Sequence, residues 1–134
     1  MHKVYLGLGT NLGNRKQNIR DSIKKIGELI GVIERQSALY ETKPWGYSSP
    51  NDFINACVCV LTPLSPRKLL ETTQAIEKDM GRTLKSKDGE YHDRIIDIDI
   101  LLYDDLKVNE PDLQIPHPLM TERDFVMTPL KEIM

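Results

Sequence analysis

Cysteine, tryptophan and long apolar runs are all scarce in this sequence: two cysteines, Cys57 and Cys59, one tryptophan, Trp45, and nothing near a ~20-residue apolar stretch. Each scarcity excludes something. The two cysteines stand in FINACVCVLT, which reads as a strand with both thiols on one face. As a zinc site they lack two further ligands at recognisable spacing, because the histidines are scattered at positions 2, 92 and 117. Buried free thiols are the better reading. The N-terminal MHKVYLGLG is too short in its apolar run for a signal-peptide core, so a cytoplasmic, membrane-free protein is expected. Excess charge is missing too. A net charge of −2 supplies no global positive field for a nucleic-acid backbone, although a single nucleotide needs only local cations. No repeat at a period of roughly 20–50 residues is visible. With 134 residues, 40% of them hydrophobic, the chain can bury a real core, and 1–134 is expected to be one domain.

What is present centres on Tyr91 to Tyr103, YHDRIIDIDILLY. Ile96, Ile98, Ile100 and Leu102 alternate, so this reads as a strand with those four side chains in a core. The opposite face carries Asp97 and Asp99, roughly 6.5–7 Å apart along the strand. Two carboxylates so placed repel each other unless a cation intervenes, and Mg²⁺ accepts such oxygens while taking its other ligands from water and phosphate. Arg94, three residues earlier, offers a planar donor fork for phosphate. Asp-x-Asp alone fits an ordinary half-exposed strand equally well.

The other elements follow in order. Lys3 to Gly9 is a strand, then TNLGN is a turn with Asn14 as the N-cap of a helix. That helix buries Ile19, Ile23, Ile26 and Ile30, and Gly31 closes it. Gly7-Leu8-Gly9 is not a dinucleotide fingerprint, because position 12 is Leu12 and Gly13 comes one place late. Those glycines read as a means of close packing and turning. Val32 to Glu41 is a second strand. Lys43 to Asp52 is a loop by composition, in which Trp45 either covers a ligand or plugs the core edge. Phe53 to Thr62 is a third strand, with Ile54, Ala56, Val58 and Val60 on one face and Phe53, Asn55, Cys57 and Cys59 on the other. Asn55, polar inside a strand, needs partners and suits the edge of an amidine-like heterocycle.

Ser65-Pro66 opens a second helix that runs to Met80 and stops at Gly81, with Gln74 and Glu77 together on a flank. Arg82 to Asp93 holds three cations and a glycine; it is either a solvated loop or a phosphate lid. LLYDDLKV reads as a tight hairpin turning at Asp104-Asp105. His117 is mounted between Pro116 and Pro118, and Thr121 to Asp124 has capping-box spacing, which places Arg123 in the first turn of a short helix. This order gives an α+β, ferredoxin-like βαββαβ plan: an antiparallel sheet, helices on one face, the other face open for a site.

The segments YLGLGTNLGNR, YETKPWGYSSPNDFINA, RIIDIDILLY and IPHPLMTERDFVMTPL together resemble the 6-hydroxymethyl-7,8-dihydropterin pyrophosphokinase family over nearly the whole chain. The combination of DIDILLY with IPHPLMTERDFV is the specific part. The resemblance implies transfer of the β,γ-diphosphoryl unit of ATP to the hydroxymethyl group of the dihydropterin, leaving AMP, a step of folate biosynthesis. It implies two Mg²⁺ ions on Asp97 and Asp99, and catalytic roles for those two residues with Arg82 and Arg94. Phe53 and Phe125 are implied to sandwich the pterin, whose polar edge meets Asn55 and the backbone around Thr42, Pro44 and Trp45. Gln74, Glu77, Arg82, Arg94, Ile100, His117 and Arg123 are implied on the ATP side. Small-molecule partners and a monomer are expected.

Some positions depart from the family pattern. The Trp-Gly-Pro-Arg entry to the metal strand reads Tyr91-His92-Asp93-Arg94, so Tyr91 stands in for a lid tryptophan. Asp112 and Gln114 replace a basic residue and a threonine of some members, which weakens or reshapes ATP binding. The chain ends at Met134, where many relatives continue, which bears on the stability of the last helix. A competing reading, a ferredoxin-like RNA or ligand module, wants aromatics and a basic sheet face; two carboxylates on a central strand oppose it.

Overall fold

The computed structural model describes residues 1–81 and 95–134. Arg82, Tyr91, His92, Asp93 and Arg94, with the expected lid, lie outside the described residues. The first strand, β1 (His2–Thr10), starts exposed, alternates buried with half-buried residues and then buries its end completely. Helix α1 (Arg15–Leu29) starts where Asn14 Oδ1 accepts the Gln17 N–H at 3.2 Å, and it buries Ile19 and Ile26. Gly31 ends it for a different reason from the one expected. Its φ is not positive, and a Cβ there would collide with the Leu61 carbonyl oxygen. Close approach of two backbones, rather than a left-handed cap, requires the glycine.

The stretch expected as one strand, Val32 to Glu41, is two: β2 (Val32–Gln36) and β3 (Tyr40–Thr42). Both pair antiparallel with β4 (Phe53–Thr62), and three residues between them face two on β4. Ser37 accommodates the mismatch, its N–H donating to the Cys57 carbonyl and its hydroxyl accepting from the Cys57 N–H, both at 2.9 Å. The break is a bulge with a side chain completing the ladder.

Helix α2 (Pro66–Asp79) is capped by Ser65, whose hydroxyl accepts the Lys68 N–H, and Gly81 follows its end at φ 97°. Strand β5 (Asp97–Tyr103) completes the sheet order β2-β4-β1-β5, every pairing antiparallel. With β2 and β3 counted together this is the ferredoxin-like plan. Val4, Leu6, Ile54, Val58, Val60, Ile98 and Ile100 pack on one face against Ile19, Ile26, Leu69 and Ile76 of α1 and α2.

The alternation of β5 fails at its end. Leu6 faces Ile100 but Tyr5 faces Leu102, so Leu101 is an extra residue. Leu101 and Leu102 therefore both pack on the far face, against the expectation that Leu102 joins the isoleucines. Tyr103 takes the core position instead, its hydroxyl donating to the Leu64 carbonyl at 2.5 Å. The turn at Asp104-Asp105 does not make the expected hairpin either. The hairpin comes later, between β6 (Val108–Glu110) and β7 (Leu113–Ile115), while Asp104 accepts from Lys3 N–H and pairs with His2.

The far sheet face is only half open. Helix α3 (Asp124–Ile133) covers the Cys57 and Cys59 end with Val126, Leu130 and Ile133. It begins after Arg123, not before it: Met120–Glu122 is a turn of 3₁₀ helix, and Arg123 is extended at φ −119°, ψ 104° with no side-chain cap. The capping-box spacing is present, but Thr121 is spent inside the 3₁₀ turn.

Candidate active site

Sheet register assembles the uncovered half. Gly9 of β1 pairs with Asn55 on one side and Asp97 on the other; Gly7 pairs with Cys57 and Asp99. Two rows result, Asn55–Gly9–Asp97 and Cys57–Gly7–Asp99, each with a missing side chain in the middle. The strand spacing makes a trough about 10 Å across from β4 to β5. Its floor is backbone. A Cβ on Gly9 would lie 3.2 Å from Asn55 Oδ1 and 3.6 Å from the Phe53 ring. Both read from sequence as packing glycines; Gly7 is one, with Leu101 packed against it, whereas Gly9 also gives the pocket its depth.

The walls carry the polar and aromatic groups. Asn55, 4% exposed, donates to Thr42 Oγ1 at 2.6 Å, which aims the amide along the floor. Phe53 and Phe125 approach from β4 and α3, and the loop 43–52 adds Lys43, Trp45 and Tyr47. Arg123 lies in the same pocket rather than apart from the aromatics, its guanidinium 4.4 Å from the Trp45 ring centroid and 5.7 Å from that of Phe125. Such stacking holds a cation in place while keeping its charge. Asp97 and Asp99 are half-buried on the same rim. Burial, then the Asp99 charge, pushes the Cys57 thiol up to about 12, so it stays a neutral floor group.

Thus Thr42, Trp45, Phe53, Asn55, Asp97, Asp99, Arg123 and Phe125 meet in one pocket, whereas Pro44 is half-buried in the loop beside it. Other expected residues stand elsewhere. Gln74 is exposed on α2. Glu77 is buried, and its Oε2 accepts the Ile98 N–H at 2.7 Å, bracing β5 between the two aspartates. The Ile100 side chain is in the helix-side core, so any ligand contact it makes is through its backbone. That backbone points outward like that of Ile98, along the edge of β5 away from β1. His117 N–H donates to the Leu101 carbonyl at 3.1 Å, and Nδ1 accepts from Leu119 N–H at 3.4 Å. Sequence reasoning missed Lys43, Tyr47 and the two glycines. Glycines two apart in a strand remove side chains from one face, and that signal was available.

Comparison with known proteins adds a lineage. The family described as 7,8-dihydro-6-hydroxymethylpterin-pyrophosphokinase (HPPK) matches residues 5–134. A 2-amino-4-hydroxy-6-hydroxymethyldihydropteridine pyrophosphokinase of Porphyromonas gingivalis is 47% identical over 131 residues, covering 97% of this chain and 89% of that protein. One of the same name from Aquifex aeolicus is 42% identical over 133 residues, covering 99% and 81%. A solved HPPK-DHPS chain, crystallised with substrates, superposes with a TM-score of 0.79 at 16% identity. The match covers 98% of this chain and 40% of that one, and at such identity it speaks for the fold alone.

Proposed function

The chain belongs to the 7,8-dihydro-6-hydroxymethylpterin-pyrophosphokinase family, and from that premise we propose that it moves the β,γ-diphosphoryl group of ATP onto 6-hydroxymethyl-7,8-dihydropterin, releasing AMP. The observation that carries this reading is the pair of rows across β4, β1 and β5. They put a heterocycle-reading amide, Asn55, and a carboxylate pair, Asp97 and Asp99, on opposite sides of a glycine floor. A flat polar ring held between Phe53 and Phe125 with its edge on Asn55 points its substituent toward the aspartates.

The donor set suits Mg²⁺. Two carboxylates on one rigid strand supply part of an oxygen shell, and water with substrate phosphates supplies the rest. Among the described residues no group of three or more His, Cys, Asp or Glu forms a closed metal cage, in keeping with a site completed by substrate. Two bound ions, held by Asp97 and Asp99, would neutralise phosphate charge and lower the pKa of the pterin hydroxyl.

The remaining roles fall to cationic and donor groups. Arg123, held over Trp45, presents positive charge where negative charge builds on the transferred group. His117, accepting at Nδ1, keeps its proton on Nε2, the form that donates to a phosphate oxygen. Arg82 and Arg94 complete the clamp in this reading, with Gln74 and the Ile100 backbone toward the nucleotide. Glu77 acts through β5, whose Ile98 N–H it holds. The same reading has residues 1–134 working as one cytoplasmic, monomeric domain. No helix among the described residues is long and apolar enough to cross a membrane.

The deciding experiment is nucleotide analysis after incubation with ATP and Mg²⁺, with and without the dihydropterin. AMP formed only in the presence of the pterin supports the transfer. ADP in its place overturns the reaction.

A further inference from the structure

The loop 43–52 has no regular secondary structure, yet it supplies Lys43, Trp45 and Tyr47 to the pocket. Side chains from the segment after β1 fasten it. Asn11, 2% exposed, donates through Nδ2 to Tyr47 Oη and to the Asn51 carbonyl, both at 3.1 Å. One amide nitrogen carries two protons, and the two acceptors lie four residues apart on the loop. Arg15, from the first turn of α1, donates to the Asp52 carbonyl at 2.9 Å and lies 3.7 Å from Glu41. Gly9, two residues before Asn11, is the pocket floor. The end of β1 thus sets the floor and holds the wall.

We propose that Asn11, seconded by Arg15, is a positioning residue for pterin binding: by fixing Tyr47 and Asn51 it holds Trp45 and Lys43 as the wall of the pocket. The inference rests on the pyrophosphokinase reading for its ligand, but the clamp itself can be tested without one. A buried amide spanning two loop acceptors stabilises one arrangement of a segment that has no ladder of its own. Without it the loop has more conformations to lose when the ring binds. The nucleotide groups proposed on α2, on β5 and at His117 lie apart from this loop, and Arg123, stacked on Trp45, is the link between the two sides.

Trp45 is the chain's only tryptophan, so its fluorescence reports the wall directly. The test compares the parent with Asn11→Ala, Asn11→Asp and Arg15→Ala in the full chain. Asn11→Asp keeps the shape but has no proton to donate and sets a charge against the Asn51 carbonyl. Both Asn11 variants are expected to red-shift ligand-free Trp45 emission, increase its acrylamide quenching, and raise the pterin Kd by roughly tenfold. Far-UV circular dichroism stays at the parental value, and ATP affinity falls by less than pterin affinity, through Arg123 on Trp45. Arg15→Ala shows the same signs at smaller size, and it decides the matter should an Asn11 variant fail to fold. Unchanged emission and pterin affinity in folded variants overturn the proposal. So does an equal loss of ATP and pterin affinity, which is the mark of a general structural role. If the parent itself binds no pterin, the functional reading fails, while the emission comparison still judges the clamp.

Discussion

On the face away from α1 and α2, β4 presents Phe53 and Asn55 at one end and Cys57 and Cys59 at the other; β5 presents Asp97 and Asp99 at one end and Leu101 at the other. The two ends share strands, backbone geometry and hydrogen-bond ladder. What separates them is α3, which seals the sulfur and leucine end with Val126, Leu130 and Ile133 and leaves the other uncovered. Leu101, the bulged residue, also reaches back over Gly7, its Cδ1 3.4 Å from where a Cβ would be. A ferredoxin-like sheet with both faces occupied has no room for chemistry. This one makes room by stopping a helix short and leaving Gly9 without a side chain.

That contrast can be broken from either end. The largest effect is expected from Asp99→Ala at the open end. Turnover falls on the order of a thousandfold or more, since the proposed Mg²⁺ clamp would lose half its protein ligands. Relief of the repulsion from Asp97 keeps the melting temperature at or above that of the parent. AMP release rates beside thermal melts measure both, and near-normal turnover sinks the metal assignment. At the sealed end the pattern inverts. Leu130→Ala, at a fully buried position, costs about 2–5 kcal/mol of stability in denaturant titration. Its activity per folded molecule is retained; a collapse of that activity would mean the two ends are not separable.

Gly9→Ala lies on the boundary between the strands. Its methyl meets Asn55 Oδ1 at 3.2 Å, so pterin affinity falls by roughly tenfold while ATP affinity holds, as calorimetry can show. The smallest effect concerns the seat of α3. Glu132 accepts from the Tyr40 hydroxyl and from Ala38 N–H, and these bonds, the hydroxyl foremost, hold its carboxyl below the ordinary carboxylate range. A folded-state pKa below the unfolded one means stability is fully present above the ordinary carboxylate value and is lost as pH falls through the lowered one. Melting temperatures from neutral pH down into that acidic range should therefore drop slightly more for the parent than for Glu132→Gln. Parallel curves would remove Glu132 from the account.

Much of this was legible in the chain. Strand periodicity placed Ile54, Val58, Ile98 and Ile100 in the core, and Asn55, Asp97 and Asp99 were conspicuous as polar residues inside strands. Most of the errors share one physical origin. Bulges at Ser37 and Leu101 are mismatches between two strands, so neither strand's own sequence displays them. The glycine floor reads as a floor only when the residues flanking it are known. The Asn11 clamp joins residues 36 apart whose local patterns say nothing of each other. At Thr121 a local rule misled, because a 3₁₀ turn took up the residues of the expected cap and left Arg123 extended.

Gly31 sits at the opposite end of the molecule's logic from Asp97. It does not line the pocket described above, but any side chain there would strike the Leu61 carbonyl oxygen and pry α1 from the sheet. In a saturation scan scored by growth, the two positions would look alike, each accepting almost nothing. Scored by abundance they would part, with Gly31 variants vanishing and Asp97 variants persisting as inert protein. Intolerance on its own therefore charts where a chain is unforgiving, and a second readout is needed to learn which of those places works.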